Sequence, residues 1–130
     1  MPTIFSRIIN REIPCYKIAE TDDFLAFLDI RPQVKGHTLC IPKKETAYIF
    51  DMDDAELGDL MVFSKKVAHA LKEVVPCERI GVAVIGLEVP HTHIHLMPIR
   101  SVSDLSFGKT PLDLTPDDFR LLAARIAAAM

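Results

Sequence analysis

The sequence predicts an α+β domain, an antiparallel sheet with helices packed on it rather than a doubly wound parallel sheet. Two observations carry this. Strand-type segments outnumber helical ones, and the first strands are joined by turns too short for a crossover.

The elements follow in order. "TIFSRIINRE" places Ile4, Phe5, Ile8 and Ile9 near i, i+4 spacing, which suits a short amphipathic helix. "CYKIAE" and "FLAFLDI" read as the arms of a hairpin, with the turn chemistry of Thr21 to Asp23 between them. "GHTLCIP", opened by Gly36 and closed by Pro42, is a third strand. "DAELGDLMVFSKKVAHALKEVV" sets Leu57, Leu60, Met61, Val67, Ala68 and Leu71 on one helical stripe. "IGVAVIG" and "HTHIHLMPI" are two further strands. "TPDDFRLLAARIAAAM", about residues 115–130, starts a helix with Thr115 as N-cap, Pro116 in the first position and Asp117 and Asp118 in the first turn.

A chain of 130 residues without repeats or linkers fits one domain spanning 1–130, with that last helix as an extension. A hydrophobic content of 49% supports an ordinary core. The net charge of −3 gives no bulk attraction to nucleic acid or to an anionic membrane, so neither is expected as a partner. No apolar run approaches the roughly 20 residues that span a bilayer. "MPTIFSRIIN" lacks the features of a signal peptide. Cys15, Cys40 and Cys77 are odd in number and contain no C-x-x-C pair, so a reduced, cytoplasmic protein is expected.

The segment that carries chemistry is "HTHIHLMP", His91 to Pro98, with three of the five histidines at alternate positions. Pro90 and Pro98 suit strand ends. On a strand, His91, His93 and His95 would line one face. On a helix they would be spread by about 200° per step. Neighbouring side chains on one strand face lie roughly 6.6 Å apart and the outer pair about 13 Å. Two nitrogens on one zinc ion are at most about 4 Å apart, so a straight strand cannot bring all three to one metal. A metal site would need two of them and an outside ligand such as His37. The row better suits an extended anionic substrate, since imidazole serves as nucleophile, general base or acid, and donor to phosphate oxygen. Phosphoryl chemistry rests mostly on such positioning and charge stabilisation.

These residues resemble the histidine triad (HIT) family of nucleotide hydrolases and transferases. "IFSRIINREIPCYKIAETDDFLAFLDIRPQVKGHTLCIPKK" is similar to the N-terminal half of its Hint-like branch, and with "GLEVPHTHIHLMP" the likeness covers most of residues 3 to 99. The resemblance implies a five-stranded antiparallel sheet with packed helices, joined across a homodimer into a ten-stranded sheet. It implies a catalytic set of His93, His91, His95 and His37, in which His93 attacks the α-phosphorus and forms a covalent nucleotidyl-histidine, without a metal or other cofactor. It implies that Asp29 binds the ribose hydroxyls and that Ile4, Phe5, Ile8, Phe27 and Ile30 surround a purine base. Those five would otherwise read as ordinary core. Glu88, three residues before the triad, could raise the imidazole pKa values by proximity.

Some features depart from the family's pattern. "VAVIGLEVPH" is shorter than the usual Gly-rich loop and lacks its Asn, and Leu87 stands where Gln is common. Ser6 occupies the place of a zinc-binding cysteine found in some bacterial members, so no structural zinc is expected. Lys43, Lys44 and His69 read as surface groups. The expected activity is cleavage of a nucleoside 5'-phosphoramidate or related nucleotide conjugate. Alternatives are dinucleoside polyphosphate hydrolysis, a nucleotide-binding regulatory dimer with little catalysis, or a metalloprotein using His37 and part of the triad.

Overall fold

The computed structural model describes residues 3–130. Helix α1 spans Ile4–Ile9, and its first turn is closed by a capping box between Thr3 and Ser6. Strand β1 (Lys17–Glu20) turns back into β2 (Phe24–Leu28). The Thr21 hydroxyl accepts from the backbone N–H groups of Asp23 and Phe24 at 3.2 and 3.0 Å, which closes the turn. Strand β3 is Thr38–Pro42, and α2 (Asp54–Val74) starts where the Asp53 carboxylate accepts from the Glu56 N–H at 2.8 Å. Strands β4 (Arg79–Ala83) and β5 (Ile94–Ile99) follow, then α3 (Pro116–Ala128), capped by Thr115 and Asp118.

The five strands form one antiparallel sheet in the order β1-β2-β3-β5-β4. The registers Leu25↔Ile41, Phe27↔Leu39 and Leu39↔His95 align odd-numbered residues of the three central strands on one face. Even-numbered Phe24, Ala26, Leu28, Cys40, Ile94 and Leu96 fill the other face, against α2 and α3. On that side Phe119 of α3 stacks on Tyr16 with ring centroids 4.9 Å apart. The C-terminal helix therefore packs on the face opposite the histidines and supports β1. Each such fully buried large apolar side chain contributes about 1.5–3 kcal/mol. The odd face carries a second core of Phe5, Leu25, Phe27, Leu39 and Ile41 beneath α1.

Several boundaries differ from the sequence expectation. The α2 stripe is Leu60, Phe63, Val67, Ala70 and Leu71, whereas Met61 is 44% exposed beside β4. Strand β5 begins only at Ile94. The Thr92 N–H and hydroxyl both donate to the Thr46 carbonyl, at 2.7 and 2.8 Å, and the His91 N–H donates to the Val89 carbonyl. These bonds take His91 and Thr92 out of the ladder. Strand β4 ends at Ala83, before a turn in which Gly86 adopts φ 74°. Cys15, Cys40 and Cys77 are free thiols, and burial pushes the Cys40 thiol up to about 12. No helix among the described residues is long and apolar enough to cross a membrane.

Candidate active site

The odd face of the sheet opens into a cleft of about 460 Å³. Helix α1 forms one wall, and the loop after β2 and the segment around Phe107 close the rest. The six residues expected to contact a nucleotide, Ile4, Phe5, Ile8, Phe27, Asp29 and Ile30, all line it, and so does Glu88. Phe5 and Phe27 belong to the core beneath, with rings in edge contact at 5.8 Å. Ile4 and Ile30 are 47% and 64% exposed at the mouth. Exposed aliphatic chains around a concave site suit a flat apolar ligand and serve no packing purpose without one.

The histidines divide into two groups. His93, His95 and His37 line the cleft, whereas His91 does not and is fully buried. Of the expected row of three, His93 and His95 face the cleft and His91 is buried behind them. The His91 ring is held at both ends. Its Nε2–H donates to the Pro42 carbonyl at 2.7 Å, so its Nδ1 accepts from the Thr3 hydroxyl at 3.2 Å. Its backbone carbonyl accepts from His93 Nδ1 at 2.7 Å. A carbonyl only accepts, so Nδ1 of His93 carries a proton, and in the neutral ring the lone pair is on Nε2. The Phe5 ring stands edge-on to His93 at 4.9 Å and fixes the plane of that imidazole.

His95 is oriented by a second chain of bonds. The Gln33 backbone N–H donates to His37 Nδ1 at 3.1 Å. The His37 proton is thus on Nε2, which donates to His95 Nδ1 at 2.9 Å. His95 is left with an N–H at Nε2, a donor for a phosphate oxygen. Burial, reinforced by the nearby imidazoles, lowers His37 from 6.5 to about 4 and His95 from 6.5 to about 3. Burial also lowers His91. His37 and His95 are therefore neutral at physiological pH, and His95 is a hydrogen-bond donor rather than a charged acid.

Asp29 lies next to this pair. One carboxylate oxygen accepts from the Arg31 N–H at 2.9 Å, and the other is 3.7 Å from His37 Nε2. Among the described residues, Asp29, His37 and His95 are the group that could offer three ligand atoms to a metal ion, all within 4.8 Å of one another. His37 Nε2 carries the proton of its bond to His95 Nδ1, so an ion bound between these nitrogens would have to displace that proton.

Some contributors had no signal that was read in the sequence. Gln33 clasps Lys109 through two bonds: its Oε1 accepts from the Lys109 N–H at 3.0 Å and its Nε2 donates to the Lys109 carbonyl at 3.2 Å. That clasp holds the ring of Phe107 edge-on to His95, with centroids 4.7 Å apart. The pairing spans 76 positions, and nothing local marks it. Thr3 precedes an apolar helical run, a detectable N-cap signal, but its contact with His91 spans 88 positions. Ser6, standing in place of a cysteine, serves in the α1 capping box. Lys43 pairs with Glu20 at 2.8 Å, and His69 is exposed on α2.

The chain is similar to known proteins. Residues 10–102 match the HIT domain family. An uncharacterized HIT-like protein of Borreliella burgdorferi is 36% identical over 132 residues, covering 95% of this chain and 95% of that protein. The adenosine 5'-monophosphoramidase hnt1 of Schizosaccharomyces pombe is 33% identical over 130 residues, covering 98% of each. The crystal structure of a Hit-like protein involved in cell-cycle regulation from Bartonella henselae matches with a TM-score of 0.85 at 31% identity, covering 98% of this chain and 96% of that one.

Proposed function

The chain belongs to the HIT domain family, and on that premise we propose that it is a nucleotide hydrolase that cleaves a purine nucleoside 5'-phosphoramidate, or a related conjugate, at the α-phosphate. The observation that carries this reading is the 2.7 Å bond from His93 Nδ1 to the His91 carbonyl, which assigns the lone pair of the neutral ring to Nε2 in a side chain lining the cleft. Nε2 attacks the α-phosphorus, a P–Nε2 bond forms, and the bond to the leaving nitrogen breaks. The His95 N–H donates to the phosphate oxygen as charge grows there. Water then attacks the phosphorus, the P–Nε2 bond breaks, and the nucleoside monophosphate leaves. The leaving amine takes its proton from solvent at the open cleft, and the attacking water returns one proton to solvent as the P–Nε2 bond breaks, so the two steps balance. Asp29 binds the ribose hydroxyls, and Ile4, Phe5, Ile8, Phe27 and Ile30 hold the base. Glu88 at the rim is exposed and adjoins the phosphate end.

The relative from Schizosaccharomyces pombe, named as an adenosine 5'-monophosphoramidase, supports the same substrate class. The test is a panel of adenosine α-phosphate conjugates with varied leaving groups, run with wild type and His93→Ala. Phosphoramidate turnover that vanishes in the variant, with monophosphate binding retained, supports the assignment. Full activity in the variant refutes it. Preference for a dinucleoside polyphosphate would move the assignment to the other leaving group, and binding without turnover of any conjugate would make the protein a nucleotide-binding module.

We also propose that the protein works as a homodimer with joined sheets. Strand β4 is an edge of the sheet. Val82, Val84 and Ile85 are exposed on or just beyond it, next to the exposed Met61 and Val62 of α2. An apolar edge of this kind suits pairing with a second copy. Light scattering giving the mass of two chains supports this, and the mass of one chain refutes it.

A further inference from the structure

We infer that Thr3 is a positioning residue of the site: its hydroxyl docks helix α1 on His91 and so holds the nucleobase wall and the attacking imidazole in one register. The inference rests on the reading of His93 as nucleophile. Thr3 is 7% exposed, and its hydroxyl has more partners than a helix cap requires. It accepts from the Ser6 N–H at 3.1 Å, meets the Ser6 hydroxyl at 3.2 Å, and donates to His91 Nδ1 at 3.2 Å. An N-cap needs only the first of these.

His91 is a buried titratable group to which the proposed chemistry gives no contact with substrate. Its position is nevertheless transmitted to His93, because its carbonyl holds His93 Nδ1. Thr3 reaches His93 by a second route. The helix it caps carries Phe5, whose ring touches His91 at 5.8 Å and His93 at 4.9 Å between centroids. The same helix turn carries Ile4 and Ile8 into the cleft. One hydroxyl therefore sets both the base pocket and the plane of the nucleophile. Removing it leaves a buried imidazole nitrogen without a donor and frees α1 from the triad. Displacements well below an ångström at a reacting centre are expensive in rate.

Three variants of the full chain separate positioning from helix capping. Thr3→Val removes the hydroxyl, Thr3→Ser keeps it, and Ser6→Ala weakens the capping box while leaving the Thr3–His91 bond in place. The readouts are the single-turnover rate of nucleotidyl-protein formation from adenosine phosphoramidate and the imidazole nitrogen and proton NMR signals. Thr3→Val should slow adduct formation by about tenfold or more, with Thr3→Ser and Ser6→Ala within about twofold of wild type. It should also lose the exchange-protected Nδ1–H signal of His93. A wild-type rate and an intact signal in Thr3→Val overturn the inference, as does an equal loss in Ser6→Ala. Should wild type form no adduct, the nucleophile reading fails, and the NMR signal still decides the role of Thr3. Should Thr3→Val not fold, the wild-type His91 tautomer decides. A proton on Nε2 with Nδ1 accepting supports the inference, and a proton on Nδ1 overturns it.

Discussion

His37 Nε2 lies 2.9 Å from His95 Nδ1, and this bond determines which nitrogen of His95 presents its proton to the cleft. The direction is set one step further back, where the Gln33 N–H occupies His37 Nδ1. A fixed backbone donor thus selects the tautomer of a side chain two groups away. Because burial keeps both rings neutral, the orientation persists at pH values well above about 4.

Removing the His37 ring should therefore damage catalysis without removing a group that touches phosphate. His37→Ala should lower turnover roughly ten- to hundredfold through loss of orientation at His95. It should also cost about 1–3 kcal/mol of stability, because His95 Nδ1 is left without its donor. His37→Gln, whose amide can donate to that nitrogen, should recover part of the rate. Steady-state kinetics and thermal unfolding of both variants check this, and equal activity in the two would contradict it.

Stability should fall on mild acidification. The ordinary value of 6.5 applies in the unfolded chain, while the folded chain holds His37 at about 4 and His95 at about 3. The unfolded state therefore binds more protons below pH 6.5. The stability is fully present above that pH and is lost as pH falls through the window, at up to about 1.4 kcal/mol per unit for each histidine. Glu20, held at about 2 by its bonds to Lys43 and Lys17, contributes only below 4.5, its ordinary value. The fall between pH 6.5 and 4.5 is thus a histidine signal. A flat unfolding midpoint across that interval would refute the neutral buried pair.

Asp29 should read the sugar. Charge-assisted bonds to ribose hydroxyls are worth about 1.5–3 kcal/mol, which is roughly tenfold or more in affinity. Wild type should accordingly prefer a ribonucleotide monophosphate to its 2'-deoxy counterpart, and Asp29→Ala should erase most of that preference. Titration calorimetry with both ligands measures it. An undiminished preference in the variant would place the ribose elsewhere.

Two glycines should respond in opposite directions to alanine. Gly36, just before His37, has φ 86°, and an added Cβ would lie 3.0 Å from atoms of both Leu71 and Val75. Gly36→Ala should cost more than about 1 kcal/mol and shift His37. Gly58 is exposed in α2 with nothing within 4 Å of such a Cβ, so Gly58→Ala should stabilise by about 0.5–1 kcal/mol. Melting temperatures of the two variants that moved together would contradict the packing described around Gly36.

Much of the fold is legible locally. The Thr21 turn and the Thr115–Asp118 cap are short-range features, and the structure realises both of them. The histidine spacing points to a site, and its meaning comes from how odd positions of three strands share a face. What local reading misplaces is His91. Alternation assigns it to the substrate row, but the bonds from Thr92 to Thr46 pull the chain out of the sheet before Ile94. Those bonds join residues 46 apart in the chain. The Gln33–Lys109 clasp and the contact of Phe107 with His95 are hidden for the same reason, since each depends on where a distant loop returns. Met61, assigned to the helix core by spacing, faces the open β4 edge, a distinction that periodicity alone does not make.

The proposed function stands on a covalent bond between Nε2 of His93 and the α-phosphorus. Rapid acid-free quenching of wild type with adenosine phosphoramidate, followed by intact-mass and peptide mapping, tests it most directly. The expected result is a transient adenylyl group that fragmentation of the peptide localises to His93 itself, formed and lost at rates compatible with turnover. Turnover with no adduct, or an adduct mapped to His91 or His95, would contradict it.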